Sequence, residues 1–274
     1  MSDTGSQDES MRHAAARALE CLDLTSLNLD DTPETIDALC DRAVAPAAGI
    51  DMHPAAVCIY PKFIAQARRR VHDHGIAVAV VAKFPLGTAP LDEVLREVEQ
   101  ALSDGADEID VVFPFRAYMT GDHRSAGELV RRVGVACHAG EQPAKLKVIL
   151  ETGVLHEAST IRAAASVAVA NGADFLKTST GKLEPAATPA AVAALLEVIA
   201  ESQRDGQHAA RPIGLKVAGG VKTVADAAIY LDMADRTLLG GAGPNNFRFG
   251  ASGLLNDIVS VLGSSHAAHM SAEY

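Results

Sequence analysis

Five charged side chains interrupt apolar segments of the sequence, an unusual place for a charge. They are Asp23 in CLDLT, Asp110 in EIDVVFP, Lys147 in KLKVILE, Lys177 in DFLKTS and Lys216 in IGLKVAG. A charge inside a buried strand is costly unless a partner compensates it. One lysine–carboxylate pair would be an ordinary structural ion pair, but three lysines and two carboxylates from separate segments favour a functional site.

Two lysines in one buried site favour covalent chemistry on a carbonyl group. A lysine amine is nucleophilic only when it is neutral, and its reference pKa is about 10.4. Burial and a neighbouring cation both lower that pKa. The neutral amine then forms a Schiff base, which is an electron sink, while an adjacent carboxylate moves protons. This is the chemistry of a class I aldolase, which uses no metal.

The sequence lacks the common metal-binding patterns. It has no HExxH motif, no pair of histidines at ligand spacing and no Cys/His cluster. Its four cysteines, Cys21, Cys40, Cys58 and Cys137, are scattered, which is typical of reduced intracellular thiols. We therefore expect neither a metal nor another cofactor.

The elements that would position these charges follow an alternating pattern. Short apolar segments predict strands at 21–25, 55–60, 77–84, 108–114, 145–151, 174–179, 213–219 and 236–241. Helical patterns occur at about 33–44, 62–74, 90–103, 122–139, 156–171, 188–202, 223–233 and 251–262. The strands are apolar on both faces, as expected for parallel strands covered by helices.

Eight strands, each followed by a helix, in about 250 residues predict a single-domain α/β fold, the TIM (β/α)8 barrel. A doubly wound open sheet is the alternative, but no GxGxxG motif follows the first strand. The charged residues lie in the middle or carboxyl-terminal part of their strands, toward the face where barrel enzymes carry their active sites.

Glycine-rich segments follow several late strands and indicate an anion site. They are STGK at 179–182, AGGVKT at 218–223 and FGAS at 249–252. Glycine lets the backbone approach an anion, and barrels often bind phosphate with the loops after strands 7 and 8. Together with the lysines, these segments predict a phosphorylated small-molecule substrate.

Composition narrows the class of protein further. The net charge of −11 over 274 residues argues against a nucleic-acid partner and against binding to an anionic membrane. No apolar segment reaches the roughly 20 residues of a membrane span, and the polar N-terminus is unlike a signal peptide. We expect a cytoplasmic protein with its barrel at 15–262. The segment at 1–14 is predicted to be short or disordered, and 263–274 to form a flexible tail.

Several motifs, taken in order, resemble the deoxyribose-phosphate aldolase family. They are DLTSLN (23–28), AVCIYPKF (56–63), GADEIDVVFP (105–114), LKVILETG (146–153), GADFLKTSTGK (172–182), GLKVAGGVKT (214–223) and RFGASGLL (248–255). The resemblance covers about residues 15–262. It implies a TIM barrel that reversibly cleaves 2-deoxy-D-ribose 5-phosphate to acetaldehyde and D-glyceraldehyde 3-phosphate without a cofactor, and a homodimer.

The resemblance also implies roles for individual residues. Lys177 matches the Schiff-base lysine, Lys216 the second lysine that lowers its pKa, and Asp110 the carboxylate that moves protons. Lys147 and Asp23 match supporting polar positions. The expected substrate and phosphate contacts are Thr25, Leu27, Thr180, Gly181, Lys182, Gly219, Gly220, Val221, Gly250, Ala251 and Ser252.

Three positions depart from the family pattern. Gly253 stands where many relatives have a second serine, Lys222 where an arginine is common, and Lys83 where Asn or Gly is frequent. At 222, lysine replaces the planar fork of an arginine by a point charge, and Gly253 lacks a serine hydroxyl. Together the three changes are expected to weaken phosphate binding or to relax the preference for phosphorylated substrates.

Two hypotheses concern residues outside this set. Tyr274 ends the chain, and a tail of about a dozen residues spans roughly 36 Å when extended, enough for Tyr274 to reach the site and relay a proton. The alternative is a terminus without a role. Cys58 either reacts with unsaturated aldehydes or is a buried inert thiol.

Two other functions remain open from the sequence. One is a class I aldolase of the same barrel type that acts on a different phosphorylated sugar. The other is a non-catalytic protein that binds a phosphorylated sugar, although such a binder would need none of Lys177, Lys216 and Asp110.

Overall fold

A computed structural model of the chain describes residues 3–47, 49–204 and 211–270. These ranges contain eight strands and eleven α-helices. In chain order they are α1 (Asp3–Glu20), β1 (Leu22–Thr25), α2 (Pro33–Val44), β2 (Ala56–Ile59), α3 (Ile64–Val71), β3 (Ala77–Ala82), α4 (Leu91–Ser103), β4 (Glu108–Val112), α5 (Phe115–Met119), α6 (His123–Cys137), β5 (Lys145–Ile149), α7 (Thr152–Leu155), α8 (Ala158–Ala170), β6 (Phe175–Lys177), α9 (Pro189–Arg204), β7 (Gly214–Ala218), α10 (Val224–Asp235), β8 (Phe247–Ala251) and α11 (Leu254–Met270).

The eight strands form one closed barrel in sequence order, and every neighbouring pair is parallel. Strand β8 returns to β1, so no strand edge is left unpaired among these eight strands. The predicted TIM barrel is confirmed. Strands β1 to β7 lie within their predicted segments because each is a short apolar segment bounded by turn residues.

The prediction for the eighth strand is wrong. Residues 236–241 form the turn after α10, with positive φ at Gly240 and Gly241 and with Leu239 exposed. The strand is Phe247–Ala251. Phe247 and Phe249 are buried in the layer between the strands and the helices, while Arg248 lies on the opposite side of the strand. Arg248 lies in the middle of this five-residue strand and interrupts its apolar pattern, so the sequence did not indicate a strand here.

Both ends of the chain are more helical than predicted. The sequence predicts disorder for the first residues, yet α1 begins at Asp3. It is held by Ala15, Ala18 and Leu19, which are spaced on one helix face and fully buried. Helix α11 continues to Met270 instead of ending near 262, so part of the predicted tail is helical. Tyr274 lies outside the described residues.

The interior of the barrel has an apolar half and a charged half. Strands β2 and β3 contribute Ala56, Cys58, Ala79 and Val81, which form a small apolar cluster. The remaining strands direct mostly charged side chains inward. The larger apolar core lies between the strands and the helices. The barrel is therefore a scaffold that holds charges against one apolar wall.

The base of the barrel is closed by close packing. A Cβ atom at Gly214 would lie 2.5 Å from the ring of Phe175, so the ring needs glycine on the neighbouring strand. The guanidinium of Arg248 lies 5.8 Å from the centre of the same ring.

Within the described ranges, no helix is long and apolar enough to span a membrane.

Candidate active site

Strand register brings the five sequence-selected charges into one interior. Asp110 on β4 is level with Lys147 on β5, and Lys177 on β6 is level with Lys216 on β7. Asp23 on β1 joins them across the barrel through Lys216. Lys177 is 3% exposed and the other four are fully buried. The predicted convergence is therefore present in the structure.

Asp110 is the centre of the hydrogen-bonding pattern. Its Oδ2 accepts hydrogen bonds from the Nζ atoms of Lys177 at 2.7 Å and Lys216 at 2.8 Å. Its Oδ1 accepts one from Nζ of Lys147 at 2.6 Å. Lys216 Nζ also donates to Asp23 Oδ2. Three lysines thus share one carboxylate, and of the three only Lys177 has no second carboxylate partner among the described residues.

Two further charged residues belong to this group, and sequence reasoning missed both. Arg248 donates to Asp23 Oδ1 at 2.6 Å and to Glu108 Oε1 at 2.8 Å, and Glu108 Oε2 lies 2.6 Å from Lys147 Nζ. Glu108 precedes Asp110 by two positions and therefore faces the same side of β4. The two-residue spacing could have predicted Glu108 as a member of this group. Arg248 was missed because the eighth strand was predicted at 236–241, which does not include it.

We call these seven buried residues the barrel cluster: Asp23, Glu108, Asp110, Lys147, Lys177, Lys216 and Arg248. It holds four basic and three acidic side chains. A single excess positive charge in a buried site is unfavourable, so one lysine is expected to be neutral.

Lys177 is the lysine best suited to be neutral. Burial lowers the pKa of Lys177, Asp110 raises it, Lys216 lowers it again, and the pKa lies below the ordinary value. Lys216 behaves in the opposite way. Burial lowers its pKa, but Asp110 and Asp23 together outweigh burial and hold the pKa well above the ordinary value.

The other groups of the barrel cluster stay charged. Burial lowers the pKa of Lys147, but Asp110 and Glu108 raise it to about 12. Burial favours the protonated form of Asp110, yet the three surrounding lysines hold its pKa well below the ordinary range. The pKa values of Asp23 and Glu108 are lowered in the same way, against burial, by the cations beside them.

A cavity of about 420 Å³ opens above the barrel cluster at the carboxyl ends of the strands. Lys177 lines it, and Lys147 and Lys216 do not. All eleven predicted substrate and phosphate contacts line it: Thr25, Leu27, Thr180, Gly181, Lys182, Gly219, Gly220, Val221, Gly250, Ala251 and Ser252. Ser26, Asn28 and Ala218 also line it and were not predicted.

The turn after β7 needs its two glycines. Gly219 and Gly220 have φ values of 87° and 84°, which side chains adopt only with strain. A Cβ atom at Gly219 would also lie 2.5 Å from the Cβ of Ala186. The hydroxyl of Thr178 fixes the start of this turn, since it donates to Ala218 O at 3.1 Å and accepts from Ala218 N at 3.0 Å.

The three departures from the family pattern lie in different places. Gly253 and Lys222 line the cavity. Lys83 does not line it, and its Nζ pairs with Glu93 at 3.4 Å and Glu97 at 3.2 Å. A direct effect on a ligand in this cavity is therefore expected from Gly253 and Lys222, and not from Lys83.

Cys58 is an inward-facing residue of the barrel's apolar wall. It is fully buried, and its Sγ lies 4.0 Å from Asp110 Oδ2. Burial raises the pKa of the thiol above its ordinary value. A buried thiol with a raised pKa is a poor nucleophile, which favours the inert alternative.

The arrangement combines a buried amine with a lowered pKa, a neighbouring amine with a raised pKa and a carboxylate below a polar cavity. It is suited to Schiff-base formation with a carbonyl compound. In the described part of the chain, no group of three or more His, Cys, Asp or Glu side chains is placed to hold a metal ion.

Sequence comparison places the chain among the aldolases. Residues 17–258 match the DeoC/LacD family of aldolases. A deoxyribose-phosphate aldolase from Agrobacterium fabrum is 44% identical over 265 residues, which cover 96% of this chain and 97% of the relative.

Solved structures agree with the sequence comparison. The apo form of a putative deoxyribose-phosphate aldolase from Toxoplasma gondii has a TM-score of 0.79 and 26% identity, covering 93% of this chain and 98% of that one. A putative deoxyribose-phosphate aldolase from Coccidioides immitis has a TM-score of 0.73 and 27% identity, covering 89% and 85%. On these matches and the geometry of the barrel, the chain belongs to the DeoC/LacD family of aldolases and is a lyase.

Proposed function

We propose that this aldolase reversibly cleaves 2-deoxy-D-ribose 5-phosphate to acetaldehyde and D-glyceraldehyde 3-phosphate through a Schiff base on Lys177. One observation carries the proposal: among the lysines of the barrel cluster, Lys177 lines the cavity and has a lowered pKa. The Agrobacterium relative, which is named for this activity, supports the choice of substrate.

The reaction begins when the neutral Nζ of Lys177 attacks C1 of the open-chain sugar. Lys216 remains protonated and donates a proton to the departing hydroxyl, so loss of water gives an iminium ion. Asp110 Oδ2, 2.7 Å from Nζ of Lys177, is the nearest carboxylate for the proton that the attacking amine loses. The iminium ion then serves as the electron sink.

Cleavage breaks the C2–C3 bond of the sugar. Its electron pair moves into the iminium ion to give an enamine, while the C3 hydroxyl gives its proton to the Asp110 carboxylate and becomes the aldehyde of D-glyceraldehyde 3-phosphate. Protonation of the enamine at C2 and hydrolysis of the iminium release acetaldehyde and the free amine of Lys177. The reverse sequence forms the carbon–carbon bond.

We assign the phosphate of the substrate to the part of the cavity lined by the turns after β6 and β7 and by the end of β8. These segments offer backbone N–H groups and the Ser252 hydroxyl to the phosphate. Lys182 and Lys222 also line the cavity and supply positive charge in a protein whose net charge is −11. A phosphorylated substrate is thereby favoured over its neutral analogue.

Borohydride trapping tests this proposal. The protein is incubated with 2-deoxyribose 5-phosphate and borohydride, and the adduct is located by peptide mass spectrometry. We expect the reduced adduct on Lys177, absent in Lys177→Ala and retained in Lys182→Ala, a control lysine in the same cavity. An adduct on Lys216 or Lys147 would keep the reaction class and overturn these roles, and binding without any adduct would favour a non-catalytic binder.

The choice of donor separates this function from other class I aldolases. We expect acetaldehyde to act as the donor in synthesis and neither dihydroxyacetone phosphate nor pyruvate to replace it.

The proposal also includes a cytoplasmic location, a homodimer and catalysis without a cofactor. Size-exclusion chromatography with light scattering tests the dimer.

A further inference from the structure

Glu151, which connects β5 to α7, combines two uncommon properties. Its side chain is fully buried, and its backbone is left-handed, with φ 56° and ψ 60°. A non-glycine residue in this conformation is strained and persists only where the surroundings hold it. Such residues cluster at functional sites.

The carboxyl of Glu151 holds the turn that follows Lys177. Its oxygens accept hydrogen bonds from Thr180 N at 3.3 Å and from Thr180 Oγ1 at 2.5 Å. Thr180 Oγ1 in turn accepts one from Lys182 N at 3.2 Å. Thr180 and Lys182 line the cavity, whereas Glu151 lies behind them.

Backbone contacts lock the two segments together. Thr152 N donates to Thr178 O at 2.8 Å, beside the hydrogen bonds of Glu151. Gly153 packs so closely against the loop after β6 that a Cβ atom there would lie 1.7 Å from the carbonyl oxygen of Pro185. The segment containing Glu151 therefore packs closely against residues 178–185 and restrains their conformation.

An acidic side chain behind a phosphate site would repel the phosphate if it were charged. Burial, the largest influence, raises the pKa of Glu151 above its ordinary value, although Thr180 and Lys177 act in the opposite direction. The neutral form is thus favoured relative to an exposed glutamate. This fits a carboxyl that orders a loop without opposing the anion in front of it.

We propose that Glu151 is a positioning residue that sets the preference for phosphorylated over non-phosphorylated sugars, by holding the Thr180–Lys182 turn in its phosphate-binding shape. The proposal rests on the function proposed above. Within the described residues, the hydrogen bonds of the Glu151 carboxyl all go to Thr180 and none to a residue of the barrel cluster, so we place its main effect at the phosphate end of the substrate.

Two substrates separate this role from a merely structural one. In Glu151→Gly, which keeps the left-handed backbone accessible but removes the carboxyl, kcat/KM for 2-deoxyribose 5-phosphate is expected to fall about tenfold. The loss should appear in KM. For unphosphorylated 2-deoxyribose, kcat/KM should stay within about twofold of the unaltered enzyme. Glu151→Gln retains one acceptor oxygen and should recover part of the preference.

Two further variants serve as controls. Glu157→Gln removes an exposed acid six positions away that forms no cap hydrogen bond and should leave the preference unchanged. If Glu151→Gly does not fold, Thr180→Val, which removes the hydroxyl between Glu151 and Lys182, must show the same selective loss. Equal losses for both substrates, or no loss, would overturn the proposal.

Borohydride trapping with acetaldehyde distinguishes failure of this inference from failure of the proposed function. An adduct on Lys177 in the unaltered enzyme, combined with an unchanged substrate preference in Glu151→Gly, refutes the role of Glu151 alone. Absence of the adduct in the unaltered enzyme refutes the proposed function itself.

Discussion

Lys177 and Lys216 are level with each other on neighbouring strands, and both donate a hydrogen bond to the same oxygen, Oδ2 of Asp110. Lys216 alone of the two also pairs with Asp23. That second carboxylate holds the pKa of Lys216 above its ordinary value, while the pKa of Lys177 lies below. One additional ion pair therefore distinguishes the two amines, and it supports the proposal that Lys177 is the nucleophile.

The two lysines should have opposite effects on stability. The folded-state pKa of Lys177 is lowered, so the unfolded state binds more protons and Lys177 destabilises the fold at neutral pH. Lys177→Met should leave the free energy of unfolding unchanged or raise it by up to about 1 kcal/mol. Lys216→Met should lower it by about 3–5 kcal/mol, since Asp23 and Asp110 lose a buried partner. Urea denaturation at pH 7 measures both, and equal losses would contradict this assignment.

Glu108→Gln should move the acid limb of the activity profile to lower pH. The substitution removes a negative charge from the barrel cluster without removing a contact of Lys177, so the pKa of Lys177 falls further. In the proposed mechanism activity requires the neutral amine, so it appears as pH rises through that pKa. A profile of kcat/KM from about pH 5 to 9 measures the change, and movement of the limb to higher pH would contradict the charge-balance argument.

The buried carboxylates predict loss of stability in acid. The folded-state pKa values of Asp23, Glu108 and Asp110 are all lowered. Their stabilisation is present above the unfolded values of about 4 and is lost as pH falls through the folded values. Urea midpoints should therefore fall progressively below about pH 4. In Asp110→Asn the dependence should be weaker, and an equally steep dependence would argue against Asp110 as a contributor.

Gly253→Ser should strengthen phosphate binding. Gly253 lines the cavity, and a Cβ atom there would meet nothing within 4 Å. An added hydroxyl can therefore donate to the phosphate, and KM for the phosphorylated sugar should fall about threefold. KM for unphosphorylated 2-deoxyribose should not change. Gly243, which has similar open space away from the cavity, provides the control variant Gly243→Ser.

The cysteines should be unreactive in the native enzyme. All four are buried and free, and burial raises the pKa of Cys58. A disulfide reagent should label none of them in buffer and all four in denaturant. Inactivation by crotonaldehyde should proceed equally in Cys58→Ala, whereas protection in that variant would revive the reactive-thiol hypothesis.

The sequence by itself determined the barrel and most of the site. The alternation of apolar strands with helices can be recognised from local sequence alone, because a strand buried on both faces is apolar along its whole length. A charge within such a strand must be compensated, so the sequence predicted that Asp110, Lys177 and Lys216 meet inside the barrel, as they do. The two-residue spacing of Glu108 and Asp110 also carried a signal, since side chains alternate along a strand.

Only the tertiary structure decided the position of the eighth strand and which lysine has the lowered pKa. The apolar residues 236–241 form a turn, while Phe247–Ala251 closes the barrel because its two phenylalanines pack outward and Arg248 meets Asp23 and Glu108 inside. Lysine pKa values depend on distances between charges on different strands, and strand register sets those distances. The sequence predicts that three lysines meet, but only the geometry shows that Lys216 pairs with Asp23 while Lys177 keeps a lowered pKa.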